Sequence, residues 1–152
     1  MLQAVLLDTG TLGLATKRKG ISEAEACRAW IESLRVAGVG LLVPEIADYE
    51  VRRELLRTGN VAAIGRLDSF LIPPGRFLPI TTSAMRLAAE LWVRARNSGS
   101  ATADRHAIDG DVILAAQALT VGFPADEIVV ATANVRHLSR YVAADQWQKI
   151  TP

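Results

Sequence analysis

Ala4-Val5-Leu6-Leu7-Asp8-Thr9-Gly10 is the stretch on which the fold turns. Four consecutive apolar residues closed by a turn-forming triplet read as a short buried strand. The same pattern returns at Gly40-Leu41-Leu42-Val43, stopped by Pro44, at Phe77–Ile80 and at Ile128–Thr132, with Trp147–Ile150 as a candidate edge strand. Helical periodicity fills the intervals. Ser22 with Glu25 forms a candidate capping box for a helix through Trp30, Ile31 and Leu34 that ends near Gly38. Glu45–Arg57 is a helix with Gly59 beyond its end, and Ala62–Phe70 is another that runs into Pro73-Pro74-Gly75. Thr82 or Ser83 can cap the amphipathic helix Ala84–Arg96. Asp109–Val121 and Val135–Tyr141 complete the set, and the polar stretch 97–106 reads as a loop. Strands alternating with helices predict an α/β fold in three layers, a mostly parallel central sheet of four or five strands with helices on both faces.

The 152 residues suit a single domain spanning 1–152. Half the residues are hydrophobic and 22% are charged, an ordinary globular balance, and a net charge of +1 leaves nucleic-acid affinity to local patches. The lone Cys27 rules out an internal disulfide and falls in the helical pattern Ala24…Cys27…Ile31, where a packed thiol is expected. No apolar run approaches a membrane span and no basic segment precedes the first one, so the expected location is the cytoplasm.

Three acids stand against apolar surroundings: Asp8 after Leu7, Glu50 in the Glu45–Arg57 helix, and Asp111 before Val112-Ile113-Leu114-Ala115-Ala116. An isolated buried carboxylate is costly unless it is paired, protonated or given a cation. Each acid also has a plain structural explanation. Asp8 suits a turn, and Glu50 and Glu54 can pair with Arg53 and Arg57 on a solvated face. On that helix Ile46, Tyr49 and Leu56 form one apolar stripe and Ala47, Val51 and Leu55 another, with the charged residues between them. Asp109 is the natural N-cap of its helix, which leaves Asp111 as a second acid in the first turn. Asn134 can cap the helix that follows it. His106 and His137 lack ligand-spaced partners and are expected on the surface or at caps. In parallel sheets ligands gather beyond the carboxyl ends of the strands, where both Asp8 and Asn134 fall.

Leu7-Asp8-Thr9, the segment from Val43 to Arg52, the segment from Asp109 to Ala118 and Thr132-Ala133-Asn134-Val135-Arg136-His137-Leu138, in that order, resemble the PIN-domain ribonucleases, particularly VapC-type toxins of toxin–antitoxin modules. The resemblance covers nearly the whole chain and implies a three-layer PIN-like domain. It assigns the first acid to Asp8, the helical glutamate to Glu50, the third acid to Asp111 and the fourth position to Asn134, with Thr9, Asp109 and Thr132 as supporting residues. It implies Mg²⁺- or Mn²⁺-dependent endonucleolytic cleavage of RNA, with Asp8 and Asp111 as direct ligands. Glu50 would bind through water or orient the nucleophile, and Asn134 would hydrogen-bond a water or the phosphate. Arg52, Arg53, Arg105 and Arg136 are candidates for RNA-backbone contact, and Lys17-Arg18-Lys19 adds positive charge after Asp8. A cognate antitoxin and a homodimer are further implications. Two alternatives stand beside this reading. One is a nucleic-acid- or partner-binding PIN domain with a degenerate, non-catalytic site, which Asn134 leaves open. The other is a haloacid-dehalogenase-like phosphatase, whose second aspartate is replaced by Gly10.

Overall fold

The computed structural model of the chain describes residues 1–98 and 105–152, and the side chains of all of these except 105–107. β1 (Ala4–Leu7) is buried at every position and sits at the centre of the sheet. It is flanked by β2 (Gly40–Pro44) and β4 (Ile128–Ala131), with Val5 opposite both Leu41 and Val129. β3 (Phe77–Leu78) joins β2 at one edge and β5 (Ala144–Asp145) joins β4 at the other. The order is β3-β2-β1-β4-β5 with every pairing parallel, so the expected α/β architecture is present. Fully apolar central strands suit a sheet covered on both faces.

The connections are helical: α1 (Thr9–Ala15) and α2 (Ser22–Val36) lead to β2, and α3 (Glu45–Arg57) and α4 (Val61–Leu71) lead to β3. α5 (Thr82–Asn97) and α6 (Arg105–Leu119) lead to β4, and α7 (Val135–Leu138) leads to β5. Right-handed crossovers put the connections running towards β3 on one face and those running back towards β5 on the other. Accordingly α1 packs on α2 and α3, α3 packs on α4, and α5 packs on α6.

Several expectations need correction. Asp8-Thr9-Gly10 is no simple turn: Asp8 is the N-cap of α1, a helix whose Gly10 and Gly13 depress its propensity. Burial of Thr11, Leu12 and Ala15 holds it helical. Ser22 is the first helical residue rather than a cap, and Glu25 Oε1 accepts from the Gly20 N–H instead of completing a capping box. Thr81, not Thr82 or Ser83, caps α5, its side chain accepting from the Ala84 N–H at 3.0 Å.

α6 begins at Arg105, so Asp109 lies inside the helix with its side chain exposed, and Asp111 is in the second turn. A solvent-facing acid and a capping acid look alike in sequence, and the helix starts four residues before the expected Asp109. Of the expected loop 97–106, residues 99–104 lie outside the described residues. Trp147–Ile150 forms no strand; Trp147–Lys149 is a 3₁₀ turn. The Trp30 ring packs 5.7 Å from the Trp147 ring and the Trp30 Nε1–H donates to Ile150 O at 2.9 Å, which ties this segment to α2 rather than to the sheet. On α3 the buried residues are Ile46 and Ala47, while Tyr49 (54%) and Leu56 (62%) are exposed, so the Ile46-Tyr49-Leu56 stripe is buried only at its start. Cys27 is a fully buried thiol, as expected. Among the described residues no helix is long and apolar enough to cross a membrane.

Candidate active site

β1 and β4 are neighbours and end in register, with Leu7 opposite Ala131. The residues that follow them must therefore meet. The Asp8 N–H donates to Ala131 O at 3.1 Å, and the Thr132 hydroxyl donates to Asp8 Oδ2 at 2.6 Å. Asp8 Oδ1 accepts from the Thr9 N–H at 2.6 Å as the cap of α1. Each oxygen of this carboxylate is thus fixed by one donor and keeps a lone pair for another partner. Thr132 is 1% exposed, and its oxygen also accepts from the Asn134 N–H at 2.9 Å. One buried hydroxyl therefore sets both the Asp8 rotamer and the turn into α7. Asn134 itself is exposed at the rim.

Glu50 arrives from α3. Its Oε1 accepts from the Thr9 hydroxyl at 3.0 Å, which links it through one residue to Asp8. It lies against α6 at Gly110, where a Cβ would fall 3.2 Å from Oε1 and 3.4 Å from Oε2. The absence of a side chain at 110 is what lets the carboxylate approach the helix that carries Asp111. The start of α3 is held by a residue that sequence reading did not single out. Gln117 is 2% exposed; its Oε1 accepts from the Ile46 N–H at 3.2 Å and its Nε2 donates to Leu78 O at 2.8 Å. A lone amide in the apolar run Val112–Leu119 was the available signal, since a buried amide needs partners from other elements. Glu45 adds a second clamp, accepting from the Ile80 N–H at 2.6 Å.

Asp111 completes the set electrostatically. Burial, then the negative charges of Asp8 and Glu50, push its carboxyl up to about 6, while Arg140 pulls the other way. The geometry beside it is the approach of Glu50 to α6 at Gly110, one residue before Asp111. His137 also joins the cleft, with Nδ1 3.8 Å from Asp111 Oδ2, where a surface or capping role was expected. The order Asn134…His137 places it one helical turn beyond the fourth position, which is the spacing that could have revealed it.

The competing ion pairs on α3 exist as well: Arg53 lies 3.6 Å from Glu50, and Arg57 pairs with Glu54. Glu50 serves both the surface pair and the cleft. Of the candidate backbone-binding arginines, Arg52 is held by Asp48 at 2.9 Å and Asp68 at 2.8 Å, whereas Arg53 and Arg136 are exposed. The side chain of Arg105 lies outside the described residues, as does that of His106.

The donors suit a hard divalent cation. Asp8, Glu50 and Asp111 offer only oxygen, and Asp111, raised first by burial and then by the charges of Asp8 and Glu50, is a carboxylate that a cation beside it would favour in its ionised form. Among the described residues no three His, Cys, Asp or Glu side chains stand around one point.

No family model matches the chain, and no curated protein is detectably similar in sequence. Solved structures are similar. A chain of VapBC2 from Rickettsia felis bound to a DNA fragment from the promoter superposes with a TM-score of 0.70 at 16% identity, covering 95% of this chain and 99% of that one. A chain of FitAcB from Neisseria gonorrhoeae gives 0.64 at 22%, covering 96% and 99%. A chain of VapBC-1 from nontypeable Haemophilus influenzae gives 0.62 at 16%, covering 97% and 100%. At these identities the likeness is one of fold, and it runs the full length of the domain. The chain has the PIN-like fold of VapBC and FitAcB components.

Proposed function

We propose that this protein is a divalent-metal-dependent endoribonuclease, hydrolysing phosphodiester bonds in RNA as the toxin of a type II toxin–antitoxin system. The observation that supports the reading is that Asp8 and Glu50 are joined through Thr9 beyond the end of β1, with Glu50 against α6 at Gly110, one residue before Asp111. Asp8 and Asp111 would hold Mg²⁺ or Mn²⁺, which supplies Lewis acidity at the phosphoryl oxygen and a more acidic water. Thr9 and Thr132 keep Asp8 in one rotamer, so its oxygens are oriented before substrate arrives. Glu50, steadied by the Thr9 hydroxyl, orients the attacking water and takes its proton as the new P–O bond forms, and the P–O bond to the ribose breaks with the departing oxygen protonated by solvent water. Asn134 at the rim offers amide hydrogens to a phosphate oxygen, and exposed Arg53 and Arg136 offer charge to its neighbours. Likeness to components of VapBC complexes supports a cognate antitoxin, and the sequence resemblance supports a homodimer.

The test is cleavage of structured RNA with added Mg²⁺ or Mn²⁺, with and without EDTA. The expected result is hydrolysis abolished by chelation and by Asp8→Asn, with the fold of the variant unchanged by circular dichroism. Turnover by Asp8→Asn at the wild-type rate would refute the assignment. Mn²⁺ binding without hydrolysis of any RNA would instead favour a non-catalytic binding domain.

A further inference from the structure

A second concavity, of about 550 Å³, opens at the far end of α1, between the α1–α2 connection, α2 and α4. Lys17, Lys19, Arg28, Arg66 and Arg76 line it, and among the described residues no Asp or Glu does. Five like charges around one hollow repel one another, and water alone offsets this only in part. Three of the guanidiniums are nevertheless fixed. Arg66 Nε donates to Thr16 O at 3.0 Å, and Arg28 Nη1 donates to Ala15 O and Lys17 O at 3.1 and 2.9 Å. Arg76 Nη1 donates to Phe70 O at 3.0 Å while its guanidinium lies 4.7 Å over the Phe70 ring. Carbonyls orient a guanidinium without cancelling its charge, and each fork keeps further N–H groups to offer. Arg28 also pairs with Glu25 at 2.8 Å; among the described residues the other four have no carboxylate partner within ion-pair distance. Burial lowers the pKa of the Arg76 guanidinium, as befits a cation that has lost water and gained no counter-charge.

This hollow adjoins a groove that reaches the two threonines bonded to the acids and that also carries Glu23. The groove, of about 660 Å³, runs from Thr9 and Thr132 beside the acids and shares Thr16, Lys17 and Arg66 with the basic concavity. We propose that the basic concavity is a phosphate-binding subsite that grips the backbone of the RNA strand flanking the cleaved bond, a site separate from the acids and dependent on the nuclease reading for its ligand. The pre-oriented guanidiniums bind phosphate oxygens, and the exposed Lys17 and Lys19 at the mouth add long-range attraction.

The experiment measures binding of a fluorescent single-stranded RNA oligonucleotide by anisotropy, in EDTA so that nothing is hydrolysed, across a salt series. Lys17→Gln/Lys19→Gln is compared with Arg86→Gln/Arg94→Gln on exposed positions of α5, which changes net charge equally elsewhere. The expected result is weaker binding and a log–log salt slope shallower by about 1.4 for the lysine pair, about 0.7 per lost phosphate contact, with the α5 pair at the wild-type value. Equal effects from the two pairs, an unchanged slope in the lysine pair, or no RNA binding by the wild type would overturn the proposal. Displacement of the RNA by a polyglutamate peptide at comparable concentration would overturn it in favour of an acidic protein partner. Retained, lysine-dependent binding without hydrolysis on adding Mg²⁺ supports the subsite and counts against the nuclease reading alone.

Discussion

Gly110→Ala separates stability from function at a single methyl group. Gly110 lies inside α6, where alanine is favoured over glycine by about 1 kcal/mol. In a domain of this size that gain raises Tm by roughly 2–4 °C. The new methyl, however, falls 3.2 Å from Glu50 Oε1 and 3.5 Å from Cδ. Ordinary contact begins near about 3.5 Å, so the carboxylate must retreat by roughly 0.3 Å. Glu50 sits at the end of a flexible side chain and can move, so the clash costs little folding energy. The retreat strains its 3.0 Å bond from the Thr9 hydroxyl and shifts the group that aligns the nucleophile. Because about 1 Å of misplacement can cost a hundredfold, a shift of this size should lower kcat roughly three- to tenfold. Thermal unfolding by circular dichroism and single-turnover RNA cleavage read the two effects separately. A variant with raised Tm and undiminished kcat would show that Glu50 needs no close approach to α6 and would refute the reasoning.

Asp111→Asn removes a carboxyl that burial, Asp8 and Glu50 have pushed up to about 6 from its ordinary 3.8. Between those values the folded protein holds a proton that the unfolded chain has lost, so in the metal-free protein stability falls as pH rises through that window. The variant should therefore be more stable than wild type in EDTA at pH 8, by on the order of 2 kcal/mol, and no more stable near pH 3.5, while losing cleavage. Equal unfolding midpoints at pH 8 would contradict the shift. Gln117→Leu strands the Ile46 N–H and the Leu78 carbonyl inside the protein and should cost about 2–4 kcal/mol, seen as a lowered denaturation midpoint in urea. An unaltered midpoint would mean that water replaces the amide. Thr132→Val keeps the shape but frees Asp8 Oδ2 and the Asn134 N–H. It should cost about 1–2 kcal/mol of stability and lower kcat at least tenfold, and unchanged kinetics would show that Asp8 is oriented by other groups.

The parallel sheet was legible because its strands are short, apolar and separated by strongly periodic helices. Glu45–Arg57 was placed to the residue because Pro44 and Gly59 punctuate it. α1 was not legible: two glycines in seven residues argue against a helix, and only the packing of Leu12 and Ala15 decides otherwise. The start of α6 was missed because an exposed acid inside a helix has the composition of a cap. At the site, the types and order of Asp8, Glu50 and Asp111 were readable, and the family resemblance named Thr9 and Thr132 beside them, but not what those two hydroxyls bond, nor Gln117. The roles of Thr132 and Thr9 emerge once β1 and β4 are set side by side, and Gln117 acquires partners only from α3 and β3. His137 was discounted for lack of sequence-adjacent ligands, and its neighbour Asp111 comes from a different helix.

The acids and the cations of this protein must coexist without cancelling, and the length of α1 explains how they do. Its seven residues span about 10 Å at about 1.5 Å per residue, with Asp8 capping one end and Lys17 just beyond the other. That separation exceeds the screening length of about 8 Å at physiological salt, so the two fields act largely independently through solvent. The cleft can then stay negative enough to concentrate a divalent cation while the hollow stays positive enough to hold a polyanion. Asn134 fits the same logic. A fourth carboxylate there would deepen the repulsion that already lifts Asp111, whereas an exposed neutral amide adds hydrogen-bond donors at the rim without adding charge. Its backbone is secured by the same Thr132 oxygen whose proton fixes Asp8, so the neutral rim position and the first acid are held by one buried hydroxyl.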